Sequence, residues 1–291
     1  MKLPEIIDLH MHTTVSDGTD TPEEIIEKVR DAGIEMFAVT DHDAVDGAVR
    51  INTMTESAPE GQMPVFVKGV EFSCQDELGK YHILGYGYDE NSSSLRETVK
   101  KSHDYRMSKV MDRIDFLKDR FGFTFKQEDI DEIFRNANPG KPHISKMMIK
   151  YGYASSIEDA MNNYLNKKKF PNRTISPQEA VNSILSGGGV PVLAHGFFGD
   201  GSQLILGNDM EERIRHLLDF GIEGLECYYS GFTAKLVGQM LDFADKYDLY
   251  ATAGSDYHGG NKLVRLRDTN LDKVSDDPGR VRKFLERVLN S

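Results

Sequence analysis

Over residues 1–91 and again over 172–291, short apolar runs alternate with amphipathic stretches of helical period, joined by links of a few residues. Such an alternation confines a chain to a parallel sheet, here closed or nearly closed into a barrel, with helices on its outer face. "IIDLHMHTTVSDGT" (6–19) opens the series: an apolar run stops on His10, Met11 and His12, and a small polar loop adds Asp17. Thr21-Pro22-Glu23-Glu24 then supplies an N-cap, a proline at the first helical position and a capping-box glutamate, and Gly33 closes the helix. Further strands are expected from Met36 to Thr40, ending at Asp41-His42-Asp43; from Pro64 to Val70, ending at Glu71; and around Tyr81 to Tyr86, carrying His82. Later ones run from Val190 to Ala194, ending at His195; up to Cys227; and from Tyr250 to Ala253, leading into Gly254-Ser255-Asp256-Tyr257-His258.

The alternation stops over residues 92–171, which read as several amphipathic helices without strands. This is a helical insertion in one connection of the barrel. "SGGGVP" (186–191) follows a helix and precedes a strand, the reverse of a phosphate-cradling loop, so its glycines are a helix C-cap and turn.

No window approaches the ~18 apolar residues needed to cross a bilayer, and no basic segment precedes an apolar one at the N-terminus, so a cytoplasmic protein is expected. Cys74 and Cys227 are far apart and form no C-x-x-C pattern, which implies neither a disulfide framework nor a thiolate metal site. A net charge of −12 excludes broad binding to long duplex nucleic acid, yet it leaves an anionic substrate open because bound cations invert the field of an acidic site.

The strand-end residues His10, His12, Asp17, His42, Glu71, His195, Asp256 and His258, with His82 on a strand, are all nitrogen or carboxylate donors. That donor set suits Zn²⁺, Mn²⁺ or Fe²⁺, and nine donors are too many for one ion. Of the remaining histidines, His216 and His103 lie in charged helical stretches and read as surface groups. His143, in "GKPHIS", sits at a helix start beside Lys141, where backbone N–H groups favour anions.

Together "DLHMHT", "SDGT", "VTDHD", "GVEFS", "AHG" and "GSDYH" resemble the PHP family, the polymerase and histidinol phosphatase group of metal-dependent phosphoesterases, across nearly the whole chain. The resemblance implies a distorted (β/α)7 barrel with a trinuclear centre at the C-terminal ends of its strands. It implies one ion on His10, His12, Glu71 and Asp256, a second bridged by Glu71 and held by His82 and His195, and a third on Asp17, His42 and His258, with Glu71, His195 and Asp256 in the catalytic centre. Many relatives have proline where this chain has Gly196, a change expected to loosen that loop. The insertion, with "GKPHIS" and "YGYASSIEDAMNNYL", looks like that of the 3′,5′-nucleotide bisphosphate phosphatase and 5′–3′ exoribonuclease branch, in which cyclic-phosphate dihydrolases also occur.

Paired divalent ions ~3.5–4 Å apart supply a bridging hydroxide at neutral pH and stabilise the attacking and leaving oxygens of an in-line displacement at phosphorus. The expected function is hydrolysis of a phosphate ester of a nucleotide-like substrate, either a 3′,5′-bisphosphonucleoside or a short 5′-phosphorylated oligonucleotide. Cyclic-phosphate dihydrolase and sugar or histidinol phosphatase activities are the alternatives within the class; an amidohydrolase-type C–N or C–O hydrolase and a noncatalytic metal-binding module lie outside it. Arg106, Lys141 and His143 are the expected cationic or donor contacts to substrate phosphate. Lys167-Lys168-Lys169 with Arg173 is either a solvated turn or a further contact, and Tyr228-Tyr229 either stacks a base or lines the barrel rim.

Overall fold

The computed structural model describes residues 3–59, 61–135, 138–171, 173–201, 203–271 and 279–290. It divides into two compact units, residues 1–99 with 175–291 and residues 100–174.

In the first unit β1 (Ile7–Asp8), β2 (Met36–Val39), β3 (Val65–Asp76), β4 (Gly79–Tyr86), β5 (Val190–Leu193), β6 (Gly224–Tyr229) and β7 (Tyr250–Gly254) lie in chain order in one sheet. The Leu9 N–H donates to the Ala253 carbonyl at 2.9 Å, and Met11 bridges Tyr257 in parallel, so the last strand returns to the first and the barrel nearly closes. Every residue of β2 and β5 is buried, as expected of strands covered on both faces.

The sheet is mixed, which corrects the parallel arrangement expected from the sequence: β4 runs antiparallel to both β3 and β5. Only Glu77 and Leu78 separate β3 from β4, and a two-residue link can only reverse direction, whereas a parallel partner requires a crossover of a dozen residues or more. The turn is built by the Asp76 carboxylate, which accepts the Leu78 N–H at 2.9 Å, and by Gly79 at φ 131°. Glu71 consequently lies mid-strand in β3, with the strand running on to Asp76, rather than at a strand end.

Helices α1 (Pro22–Asp31), α2 (Asp46–Glu56), α7 (Pro177–Ser186), α8 (Gly207–Phe220), α9 (Ala234–Tyr247) and α10 (Gly279–Leu289) accompany the barrel. The α1 start forms as its sequence dictates: the Thr21 side chain accepts the Glu24 N–H, and the Glu24 carboxylate accepts the Thr21 N–H at 2.8 Å. Its buried face, Ile25, Ile26 and Val29, packs in one cluster with Met11, Phe37, Val39 and Ile51, each such side chain contributing about 1.5–3 kcal/mol of burial. "SGGGVP" is the end of α7 and a turn, with Gly187 as C-cap and Gly188 at φ 74°. His216 on α8 is more than a solvated surface group: its Nε2 lies 2.9 Å from Asp76 Oδ2 and its ring packs on Phe220.

The second unit holds most of α3 (Ser93–Phe121), with α4 (Gln127–Phe134), α5 (Lys141–Lys150) and α6 (Ile157–Asp159), which continues into a π turn over Ala160–Leu165. Its described residues contain no strand. Val110, Ile114, Leu117, Ile130, Ile133, Ile144, Met147 and Met148 form its core, edged by Phe123 stacked on Tyr153 at 4.2 Å between ring centres. Lys168 lies over the rings of Phe116 and Phe170, and Arg173 pairs with Asp112 at 2.6 Å, so two cations of this basic run are held by their own unit's aromatic and acidic side chains. Among the described residues no helix is long and apolar enough to cross a membrane.

Candidate metal centre

The first unit gathers all nine expected donors into one connected cluster. His10 and His12 are two apart, so an extended backbone points both to the same side. His10 Nε2 and His12 Nε2 are 3.2 Å apart, Glu71 Oε2 lies 3.2 and 3.0 Å from them, and Asp256 Oδ1 lies 3.5 and 3.4 Å from them. The antiparallel hairpin brings His82 to the same face of the sheet as Glu71: His82 Nδ1 is 2.8 Å from Glu71 Oε1, and His195 Nε2 is 3.2 Å from that oxygen and 3.3 Å from His82 Nδ1. Asp17 closes the other side, with Oδ1 3.4 Å from His258 Nε2 and Oδ2 4.0 Å from His42 Nε2. The groups share members, since His12 also lies with Asp17, His42 and His258, and His42 also lies with Glu71 and His82.

The donors fit divalent ions. With the Nδ1–H of His10 given to Glu226 Oε1 at 2.9 Å, its Nε2 carries a lone pair and faces other lone pairs on His12, Glu71 and Asp256. Ligand atoms about 2.1 Å from a tetrahedral ion sit about 3.4 Å from one another, which is the spacing found here. His42 Nδ1 is buried without a hydrogen-bond partner, 3.2 Å from Glu71 Oε2. A cation answers such a set where another proton donor does not.

The electrostatics agree. Burial alone would raise Glu71, but His42, His82 and His10 hold it well below the usual carboxylate range. Asp256 is likewise held down against its burial by His10, His12 and Lys262, and the half-exposed Asp17 is held down by His42, His258 and His12. Burial pushes His42 below its ordinary value, towards the neutral, ligating form. His12 goes the other way, up to about 9, because hydrogen bonds to Asp256 and Glu71 outweigh its burial. The carboxylates thus demand positive charge at their centre, and an ion binding there displaces protons.

Several supporting groups stand outside the nine expected donors. Glu226 on β6 is fully buried, and a carboxylate inside the apolar run "GLECYY" is the signal that marks it. Lys262 Nζ and the Tyr229 hydroxyl both donate to Asp256 Oδ2, at 2.6 and 3.0 Å, leaving Oδ1 for the histidines. Asp41 accepts from the Thr13 N–H, the Thr13 hydroxyl and the Ser16 hydroxyl at 2.7–2.8 Å and so fixes the loop that carries Asp17. Tyr228 is fully buried, which removes it as a stacking surface, while Tyr229 is half-buried beside His195. The loop at Gly196 is closely packed rather than loose, since a Cβ there would come within 2.7 Å of Met210 Cε and 3.0 Å of Leu193 Cδ2. Arg106, Lys141 and His143 belong to the second unit: Arg106 is half-buried on α3, Lys141 Nζ donates to Asn166 Oδ1 at 2.7 Å, and His143 Nδ1 accepts the Gly140 N–H at 3.2 Å.

A nearly closed strand barrel with imidazoles and carboxylates converging on one point defines a metal-dependent hydrolase. The chain matches the PHP domain model over residues 8–219, and it belongs to that family. It is 30% identical to the phosphoribosyl 1,2-cyclic phosphate 1,2-diphosphodiesterase of Eggerthella lenta, over 87% of this chain and 94% of that one. It is 28% identical to the 3′,5′-nucleoside bisphosphate phosphatase of Chromobacterium violaceum (90% and 92%) and 26% identical to the 5′–3′ exoribonuclease Rnm of Salmonella typhimurium (87% and 85%). The crystal structure of a protein described as a metal-dependent phosphoesterase, from Bifidobacterium adolescentis, superposes with a TM-score of 0.76 over 98% of both chains at 27% identity. The chain is a metal-dependent hydrolase acting on phosphate esters.

Proposed function

We propose that this chain hydrolyses a phosphate ester of a nucleotide-like substrate, a 3′,5′-bisphosphonucleoside or a short 5′-phosphorylated oligonucleotide, with three divalent ions of Mn, Zn or Fe. The observation that carries the reading is the convergence of nine nitrogen and carboxylate donors on one cluster. His10, His12, Glu71 and Asp256 hold the first ion; Glu71, His82 and His195 the second; Asp17, His42 and His258 the third. Bound there, the ions supply Lewis-acid polarisation of phosphoryl oxygens and an activated water. The protein's own part is to hold Glu71 and His82 on strands and the other ligands just beyond strand ends, to keep Glu71 and Asp256 anionic, and to offer the half-exposed Lys262 ammonium at the edge of the cluster. Arg106, Lys141 and His143 of the second unit are the proposed contacts to substrate phosphate.

Phosphate release across 3′,5′-bisphosphonucleosides, 5′-phosphorylated oligonucleotides, ribose cyclic phosphates and histidinol phosphate tests this, alongside elemental analysis of the metal-reconstituted protein. Turnover confined to amides or lactones, or saturation at one ion, overturns it. Arg106→Ala and His143→Ala should lower kcat/KM for a bisphosphate about ten- to a hundredfold and leave aryl phosphate hydrolysis and metal content intact. A second reading, cyclic-phosphate dihydrolase, draws support from the 30% identity to the Eggerthella lenta enzyme. Preference for a ribose cyclic phosphate over the bisphosphate would select it.

A further inference from the structure

Glu226 touches two of the cluster's histidines in different ways. Its Oε1 lies 2.9 Å from His10 Nδ1, and its Oε2 accepts the backbone N–H of His195 at 2.8 Å. The strand register aims it there: β6 pairs with β7 at Glu226↔Thr252 and then at Tyr228↔Ala253, so Cys227 is bulged out immediately after Glu226. Bulges commonly re-aim a side chain beside a functional site. Opposite, Gly254 makes the room, because a Cβ there would fall 2.2 Å from His10 Cβ and 2.5 Å from Glu226 Oε1. His195 itself sits at φ 29°, ψ 47°, a left-handed conformation that costs a non-glycine residue free energy and persists only where its surroundings hold it. The bond from its N–H to Glu226 is one such hold.

We propose that Glu226 is a positioning residue that presets two ligands at once: it fixes His10 in the Nδ1–H tautomer with Nε2 turned to the ion, and it pins the strained backbone that delivers His195. The inference rests on the reading that His10 and His195 are metal ligands. A fully buried carboxylate suits this place because it presents an acceptor to each of two N–H groups. Glutamine cannot: it has one acceptor oxygen and one NH₂ group, so either the His195 N–H meets a donor, or His10 flips and points an Nε2–H at Glu71 and Asp256.

The test compares wild type with Glu226→Gln by calorimetric titration with Zn²⁺ and Mn²⁺ and by elemental analysis. Glu226→Gln should bind the ions assigned to His10 and to His195 about ten- to a hundredfold more weakly, while uptake at the Asp17, His42 and His258 site stays at the wild-type level. Equal affinities in the two proteins overturn the role of Glu226 and leave the metal reading standing; a wild type that takes up no ion overturns both. Should Glu226→Gln fail to fold, long-range ¹H–¹⁵N spectra of zinc-loaded and chelator-treated wild type decide the matter. Nδ1–H on His10 in both is expected, and a His10 whose Nδ1 carries no hydrogen in the chelator-treated protein refutes the proposal.

Discussion

The two units solve opposite problems with the same chain. The helical unit closes over an apolar core, Val110, Ile114, Leu117, Ile144 and Met148 among it, and keeps charge at its surface, where Lys150 pairs with Asp129 at 2.5 Å. The barrel unit buries His10, His12, Asp41, Glu71, Glu226, Asp256 and His258 instead. Burying ionisable groups is unfavourable unless they are paired and hydrogen-bonded, and here each carboxylate is surrounded by donors or imidazoles. The helical unit is organised for packing, whereas the barrel end gives up packing to hold charge in a fixed arrangement.

The sharpest break in that contrast is Glu71→Gln. Glu71 Oε2 faces His10, His12 and His42, while Oε1 faces His82 and His195. Losing this shared carboxylate should lower kcat/KM by at least about a thousandfold, or roughly 4 kcal/mol, and elemental analysis should find fewer ions per chain; wild-type metal content would break the comparison. Ile144→Ala, in the helical core, should cost about 2–5 kcal/mol of stability through the cavity it leaves. Urea denaturation measures that loss, and metal content should not change.

Tyr229→Phe sharpens the barrel side. It removes one of two donors on Asp256 Oδ2 and leaves Lys262 in place, so kcat/KM should fall about tenfold, as for an outer partner of a metal ligand, with little change in the unfolding midpoint. An unchanged kcat/KM would mean that Lys262 alone orients Asp256. The smallest effect belongs to the surface pair of the helical unit. Hydrogen bonds from Lys150 and Tyr151 hold Asp129 below its ordinary 3.8. A lowered folded-state value stabilises fully above 3.8 and fades as pH falls through the folded value, so Asp129→Asn should destabilise slightly at pH 7, and the difference from wild type should shrink below pH 3.8. Urea midpoints at the two pH values check this; a difference that persists in acid would mean that packing, not charge, is involved.

Much of this was legible beforehand. The Thr21 capping box, the end of α7 at Gly187 and the strand at Met36 follow from local chemistry, because caps, glycines and apolar periods act over a few residues. Expectations failed where a local pattern met a longer constraint, as at Glu71 and Gly196. An apolar run ending at Glu71 looked like a finished strand, yet β3 continues through Ser73 and Cys74 because its antiparallel partner β4 pairs with those residues. Gly196 looked like slack, yet Met210 and Leu193 fill the space around it.

The sequence by itself determined the family, the alternation that builds the barrel and the nine donors, because metal ligation demands particular side chains and their types are written in the chain. Only the tertiary structure decided how those donors are held. Glu226, Tyr229 and Lys262 carry no motif, and their importance lies in which polar atoms face one another between residues up to 216 apart in sequence. A hydrogen bond between such distant residues depends on sheet register and on one bulge, and neither is a property of any short stretch of sequence.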